Sequence, residues 1–172
     1  MRVAIILGIA VILGLAGCEG FRPAPPPPES GPSTDPCPTG QWHQTEGRQR
    51  LDVSGQPLEL HLVSGGAELT LAADGTGTLA YATPAAWTGE NAAHELAATF
   101  TGTATLTYTA TGGTWTQVSD QSGIVTTLTM DGTADQPRPG TSGRGRTGTY
   151  RCTDRELSIA TDTTSETYTR SA

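Results

Sequence analysis

The chain has 172 residues, with 17 acids, ten arginines and no lysine, for a net charge of −7. So acidic a chain is repelled by nucleic acid and by anionic lipid surfaces; its charge serves solubility and points to no partner. Only 5% of residues are aromatic, so a core has to be built mainly from Leu, Val, Ile and Ala with a few Trp and Tyr.

At the N-terminus, Arg2 precedes an apolar run from Val3 to Leu15 that ends in Ala16-Gly17-Cys18. A positive charge, an apolar stretch and a pair of small residues are the order of a secretory signal. A spanning helix needs about 20 apolar residues, and Glu19, Arg22 and several prolines interrupt the run before that length. Leu15-Ala16-Gly17-Cys18 resembles the lipobox of bacterial lipoproteins. That resemblance implies that residues 1–17 are a lipoprotein signal peptide and that Cys18 is lipidated and becomes the mature N-terminus. It also implies that the protein is held by acyl chains on the extracytoplasmic face of a membrane of the cell envelope. Stable anchoring takes more than one acyl chain, which such lipoproteins carry. Without Arg2 the mature chain has nine arginines against 17 acids, or −8.

Residues 18–36 read as a tether. Pro23, the run Pro25-Pro26-Pro27-Pro28, Pro32 and Pro36 favour an extended polyproline conformation. At about 3.1 Å per residue it reaches about 50 Å. With Cys18 acylated, Cys37 and Cys152 remain, and two cysteines outside the cytoplasm suggest one disulfide. No Cys-x-x-Cys pair exists, which argues against a structural metal.

From residue 37 to 172 the texture is Thr, Gly and alternating apolar residues, the pattern of a single all-β domain. Leu58, Leu60 and Leu62 share one strand face, with Glu59 and His61 on the other. Leu69 and Leu71, the turn signal Ala72-Ala73-Asp74-Gly75, then Gly77, Leu79 and Tyr81 make 67–82 the clearest hairpin. Residues 85–98 hold Ala-rich pieces, but Gly89 and the lack of spaced large apolar residues argue against a helix. Ala104, Leu106 and Tyr108 alternate with a row of threonines. Ile124, Leu128 and Met130 follow, and 137–148, rich in Gly and Arg, reads as a mobile loop. Tyr150 with Cys152, Leu157 with Ile159, and Tyr168 with Arg170 complete eight to ten strands. Trp87 and Trp115 suit either a strand end or barrel rim, where aromatics can bind sugars or lipids, or the core, which is the commoner role.

Gly40-Gln41-Trp42, at the start of the first strand, resembles the Gly-x-Trp signature of lipocalins. Gly148 to Cys152, Leu157 to Ile159 and Tyr168 to Arg170 resemble the closing strands of small bacterial lipocalin-like domains. The resemblance implies a small antiparallel up-and-down β-barrel, with a β-sandwich as the alternative. It implies that Trp42 closes one barrel end and that an Arg of the last strand packs across it. Arg170, on the apolar parity, suits that role better than Arg151. The family's C-terminal helix and its central Thr-Asp-Tyr motif are missing. A barrel also brings the first strand beside the last ones, and so Cys37 near Cys152.

Little chemistry is legible. Gly143-Arg144-Gly145-Arg146-Thr147-Gly148 matches G-x-G-x-x-G, but a proline-rich stretch precedes it and a strand follows, which is the wrong context for a dinucleotide. His43, His61 and His94 are too scattered for a metal motif, and Asp131 and Asp135 lack the companions of a calcium loop. No catalytic motif is present, so an enzyme, a cofactor and a metal are not expected. The expectation is an envelope protein whose barrel binds a small apolar ligand or an envelope lipid. The alternative is a filled barrel serving as a protein-interaction or structural module.

Overall fold

The computed structural model describes residues 34–171. The signal segment 1–17, Cys18 and the tether up to residue 33 lie outside the described residues. The described residues hold twelve strands and no helix. They are β1 (Gly40–Val53), β2 (Gln56–Ser64), β3 (Glu68–Leu71), β4 (Thr76–Glu90), β5 (Glu95–Thr111) and β6 (Thr114–Asp120), then β7 (Ile124–Met130), β8 (Thr133–Ala134), β9 (Arg138–Pro139), β10 (Ser142–Cys152), β11 (Glu156–Ala160) and β12 (Thr164–Arg170).

Every pairing is antiparallel. Eight strands close a ring: β1 pairs β12, then β11, β10, β6, β5, β4 and β3 follow, and β3 returns to β1. With β2 and β7–β9 left out, neighbours in the ring are neighbours in sequence, an up-and-down order. The ring is not an even barrel. Strands β1, β4 and β5 have 14, 15 and 17 residues and overrun it. Their far halves join β2 and β7 in a second layer, in which β2 bridges β1 and β4, β7 pairs β5, and β8 and β9 add to β7.

One long strand serves two layers because it bends where it changes layer. The β4–β5 register slips between Tyr81 and Ala85, a segment that contains Pro84, which has no N–H for the ladder. Across from it, Gly102 takes φ +98°, and a Cβ there would strike the Gly123 carbonyl. A second bulge lies between Gln44 and Glu46 in β1.

Two apolar cores result. The first fills the ring with Trp42, Leu69, Leu71, Leu106, Tyr108, Trp115, Tyr150, Leu157, Ile159 and Tyr168. The second, beyond the bend, gathers Leu58, Leu60, Ala85, Trp87, Leu96 and Ala98, with Tyr81, Phe100 and Leu128 against it. Of the two places the sequence left open for them, Trp87 and Trp115 take the core, at 5% and 0% exposure.

The stretch 137–148 is corrected too. Most of it is strand: β9 and the first two-thirds of β10. Alternating Gly and Arg carry no apolar signal, yet their backbone pairs with β6 from Ser142 to Thr149. Gly148 is needed there, because a Cβ would collide with the Ala160 carbonyl. The G-x-G-x-x-G residues thus lie in a strand and form no phosphate-binding turn.

Candidate functional site

One end of the ring is shut by the segment that enters the domain. Residues 34–39 lie across it. The Asp35 N–H donates to the Ala110 carbonyl at 2.6 Å, and the Asp35 carboxylate accepts from Gly112 N–H and the Tyr150 hydroxyl. Desolvation first, then Asp35, pushes the Tyr150 phenol up to about 12. Cys37 is joined to Cys152, at the end of β10, with 6.0 Å between Cα atoms. Trp42 is fully buried and donates its indole N–H to the Pro38 carbonyl at 2.7 Å. Arg170 lies over the Trp42 ring at 4.1 Å and donates to the carbonyls of Asp154, Thr39 and Cys37 at 2.8, 2.9 and 2.9 Å. Gly40 makes room for it: with φ +137°, its missing Cβ leaves the space that the Arg170 guanidinium occupies. Arg151 is exposed on the outer face.

The other end of the ring is polar inside. Inward parity on β10 runs Cys152, Tyr150, Gly148, Arg146; on β6 it runs Trp115, Gln117, Ser119; on β12 it runs Tyr168, Glu166, Thr164. Each row goes from aromatic or sulfur side chains to polar ones in the same direction. Five of these residues are linked. Trp115 donates to Gln117 Oε1 at 3.3 Å, and the same oxygen accepts from Arg146 Nη2 at 3.3 Å. Arg146 Nη1 donates to Glu166 Oε1 at 3.2 Å, and the Tyr168 hydroxyl donates to Glu166 Oε2 at 3.0 Å. Side-chain exposure is 28% for Arg146 and 13% for Glu166. An ion pair this far from water loses much of its Coulombic gain to desolvation, so it is weak evidence for a purely stabilising role.

Between this polar end and the second core lies a cavity of about 150 Å³. Arg146, Glu166, Thr164 and Gln49 line it from the ring; Leu79, Tyr81, Trp87, Phe100, Ile124 and Thr126 line it from the bend and the second layer, with Gln121 and Gly140 beside them. Its aromatic wall is ordered: Tyr81 stacks on Phe100 at 5.9 Å, and Trp87 meets Phe100 edge-on at 6.0 Å. Two of its lining residues each carry a buried donor with no acceptor among the described residues, Arg146 Nε and Trp87 Nε1, and neither atom has appreciable accessible surface. A buried donor without a partner costs about 1–3 kcal/mol. Tyr81 keeps some solvent exposure, yet the protein packed around it raises its phenol well above the ordinary tyrosine range, desolvation first and Glu166 second. Tyr168 is raised for the same leading reason. Both phenols stay neutral beside the ion pair.

The histidines do not converge. His43 meets Glu68 at 2.7 Å, His61 meets Glu59 at 3.2 Å and His94 meets Asp131 at 2.9 Å, three separate pairs. Hydrogen bonding from His94 is the main reason the Asp131 carboxyl is lowered. Among the described residues no three His, Cys, Asp or Glu side chains gather as metal ligands. Asp131 and Asp135 pair with His94 and Arg138 instead of with each other.

Sequence reasoning missed Glu166 and the inward strand position of Arg146, which it read as one of two loop arginines able to bind an anion. The signal was present: Arg146 lies four residues before Tyr150, and Glu166 two before Tyr168, each on the inward parity. Charged residues on an apolar parity mark an interior polar site. The chain matches no protein-family model, no curated protein and no solved structure.

Proposed function

We propose that this is a lipid-anchored envelope protein whose β-domain is a non-enzymatic binding module for a small molecule, taken up at the junction of the two cores. The observation that carries the reading is the cavity itself, walled on one side by the Tyr81, Phe100 and Trp87 rings and on the other by the Arg146–Glu166 pair. Pockets for drug-sized ligands are about 300–1,000 Å³, so the ligand is smaller than a lipid. The ring interior is occupied by its own aromatic side chains, which favours the junction over the lumen as the place of binding. The up-and-down ring and the Arg170–Trp42 closure support a lipocalin-like reading of the ring. The cavity sits at the end of the ring away from residues 34–39.

Two measurements on the protein in a bacterial host test this. Cys18→Ser is expected to abolish acylation and leave residues 1–17 attached; normal processing and membrane retention would overturn the anchor. Native mass spectrometry of the extracted protein is expected to show a small non-lipid adduct that Arg146→Met removes. A bare mass in the wild-type protein, or an adduct of phospholipid size, would overturn the binding reading.

A further inference from the structure

The junction cavity adjoins a second, more polar space, and we infer that the ligand is a neutral molecule in two parts: one compact ring joined to a hydroxyl-rich group of sugar size. This rests on the binding reading above and names the ligand class.

The second space, of about 500 Å³, lies at the polar end of the ring. Gln49, Gln121, Arg146 and Thr164 line both spaces, so the two adjoin across these side chains. Ser119, Thr147 and Asp162 continue the outer wall. The inner space, of about 150 Å³, accepts one benzene-sized ring. Tyr81 and Phe100 give it flat aromatic surface, and Leu79 and Ile124 add aliphatic surface. The outer space falls within the range of small-molecule sites, about 300–1,000 Å³, and takes a larger, wetter group.

The two glutamines set the chemistry of that outer group. Gln49 and Gln121 are half-buried and so keep accessible surface. Among the described residues neither side-chain amide has a hydrogen-bond partner. Each amide both donates and accepts. A hydroxyl does the same, so a group bearing several hydroxyls meets both halves of each amide. A carboxylate only accepts and an ammonium only donates, and each leaves part of an amide unmet.

Charge points the same way. Among the described lining residues the cation is Arg146. Glu166 at 3.2 Å and Gln117 at 3.3 Å already hold it. An anionic ligand would face Glu166 and Asp162 with no free cation to balance it, and the repulsion disfavours it. A neutral ligand avoids that cost.

The test uses the full-length protein extracted from a bacterial host and placed in lipid nanodiscs. Phenyl glycosides of glucose, galactose and mannose are titrated first. The tightest is then compared with its methyl glycoside, with phenol and with the corresponding phenyl uronide, which carries a carboxylate. The Trp87 indole N–H resonance, assigned by its loss in Trp87→Phe, reports on the inner space. The Gln121 side-chain amide, assigned by its loss in Gln121→Leu, reports on the boundary. The phenyl glycoside is expected to shift both with one dissociation constant, and the other three probes to bind at least tenfold more weakly. In Gln121→Leu, read at Trp87, the phenyl glycoside is expected to lose at least tenfold in affinity while phenol is unchanged. Equal loss for both, or none for the glycoside, would overturn the role of the amide. Phenol binding as tightly as the phenyl glycoside would leave the cavity as a ligand site but overturn the sugar part. The methyl glycoside binding as tightly would overturn the ring part, and the uronide binding as tightly would overturn neutrality. No saturable shift with any probe would overturn this inference, whereas the binding reading falls separately, on a bare mass in native mass spectrometry.

Discussion

Single residues decide how the two ends of the ring differ. Gly40 and Arg170 act as one unit: the missing side chain of the first lets the guanidinium of the second lie on Trp42 and reach three carbonyls. Arg146 and Glu166 act as another, at the opposite end. Asp120 pins the end of β6 to the start of β10. The Ser142 hydroxyl at 2.6 Å is the main reason its carboxyl falls to about 2, and the Ser122 N–H adds to it. A depressed carboxyl contributes stability that is present above its unfolded value, near 4, and lost as pH falls through the folded one. The difference in urea midpoint between wild type and Asp120→Asn is therefore expected to be largest above pH 5 and to shrink towards zero as pH falls to about 2. A difference independent of pH across that window would show that the carboxylate charge is not what Ser142 and Ser122 stabilise.

The strands were legible in the sequence wherever large apolar residues alternate. Leu69 and Leu71, a turn at Asp74-Gly75, and Leu79 with Tyr81 give the β3–β4 hairpin with the register that pairs Leu71 with Gly77. The first part of β10 was not legible, although its end at Tyr150 and Cys152 was, because Gly143, Arg144, Gly145 and Arg146 carry no hydrophobic period and their pairing comes from the β6 backbone. The division of β1, β4 and β5 between two layers was hidden for a different reason. Alternation shows which face of a strand is inward, but not that the inward face changes core at a bulge. The bulge in β1 has a consequence for the site. Gly47, just past it, lies under the Trp87 ring, and a Cβ there would stand 2.7 Å from Cζ2. Overpacking of this kind costs about 1–3 kcal/mol. Gly47→Ala is expected to lower stability by that amount in chemical denaturation and to displace the Trp87 indole resonance. An unchanged stability and resonance would mean that the ring is not seated on Gly47.

At the scale of the whole domain, the fold is a ring with a packed, stapled end and a polar end that opens onto a second core. The Cys37–Cys152 bond spans 115 residues, and loop-closure entropy assigns such a link about 4–5 kcal/mol. With residues 34–39 strapped across the same end, the disulfide and the Arg170–Trp42 closure lie together on one side of the ring. The polar network and the cavity lie on the other side, where two cores meet without merging. The most direct measurement is a crystal structure of the protein purified from its own host, read at the junction cavity. Density for a small molecule against the Tyr81 and Phe100 rings, beside Arg146 and Glu166, is the expected result. A cavity closed by rotation of Phe100 or Tyr81, or one holding only ordered water, would contradict the account.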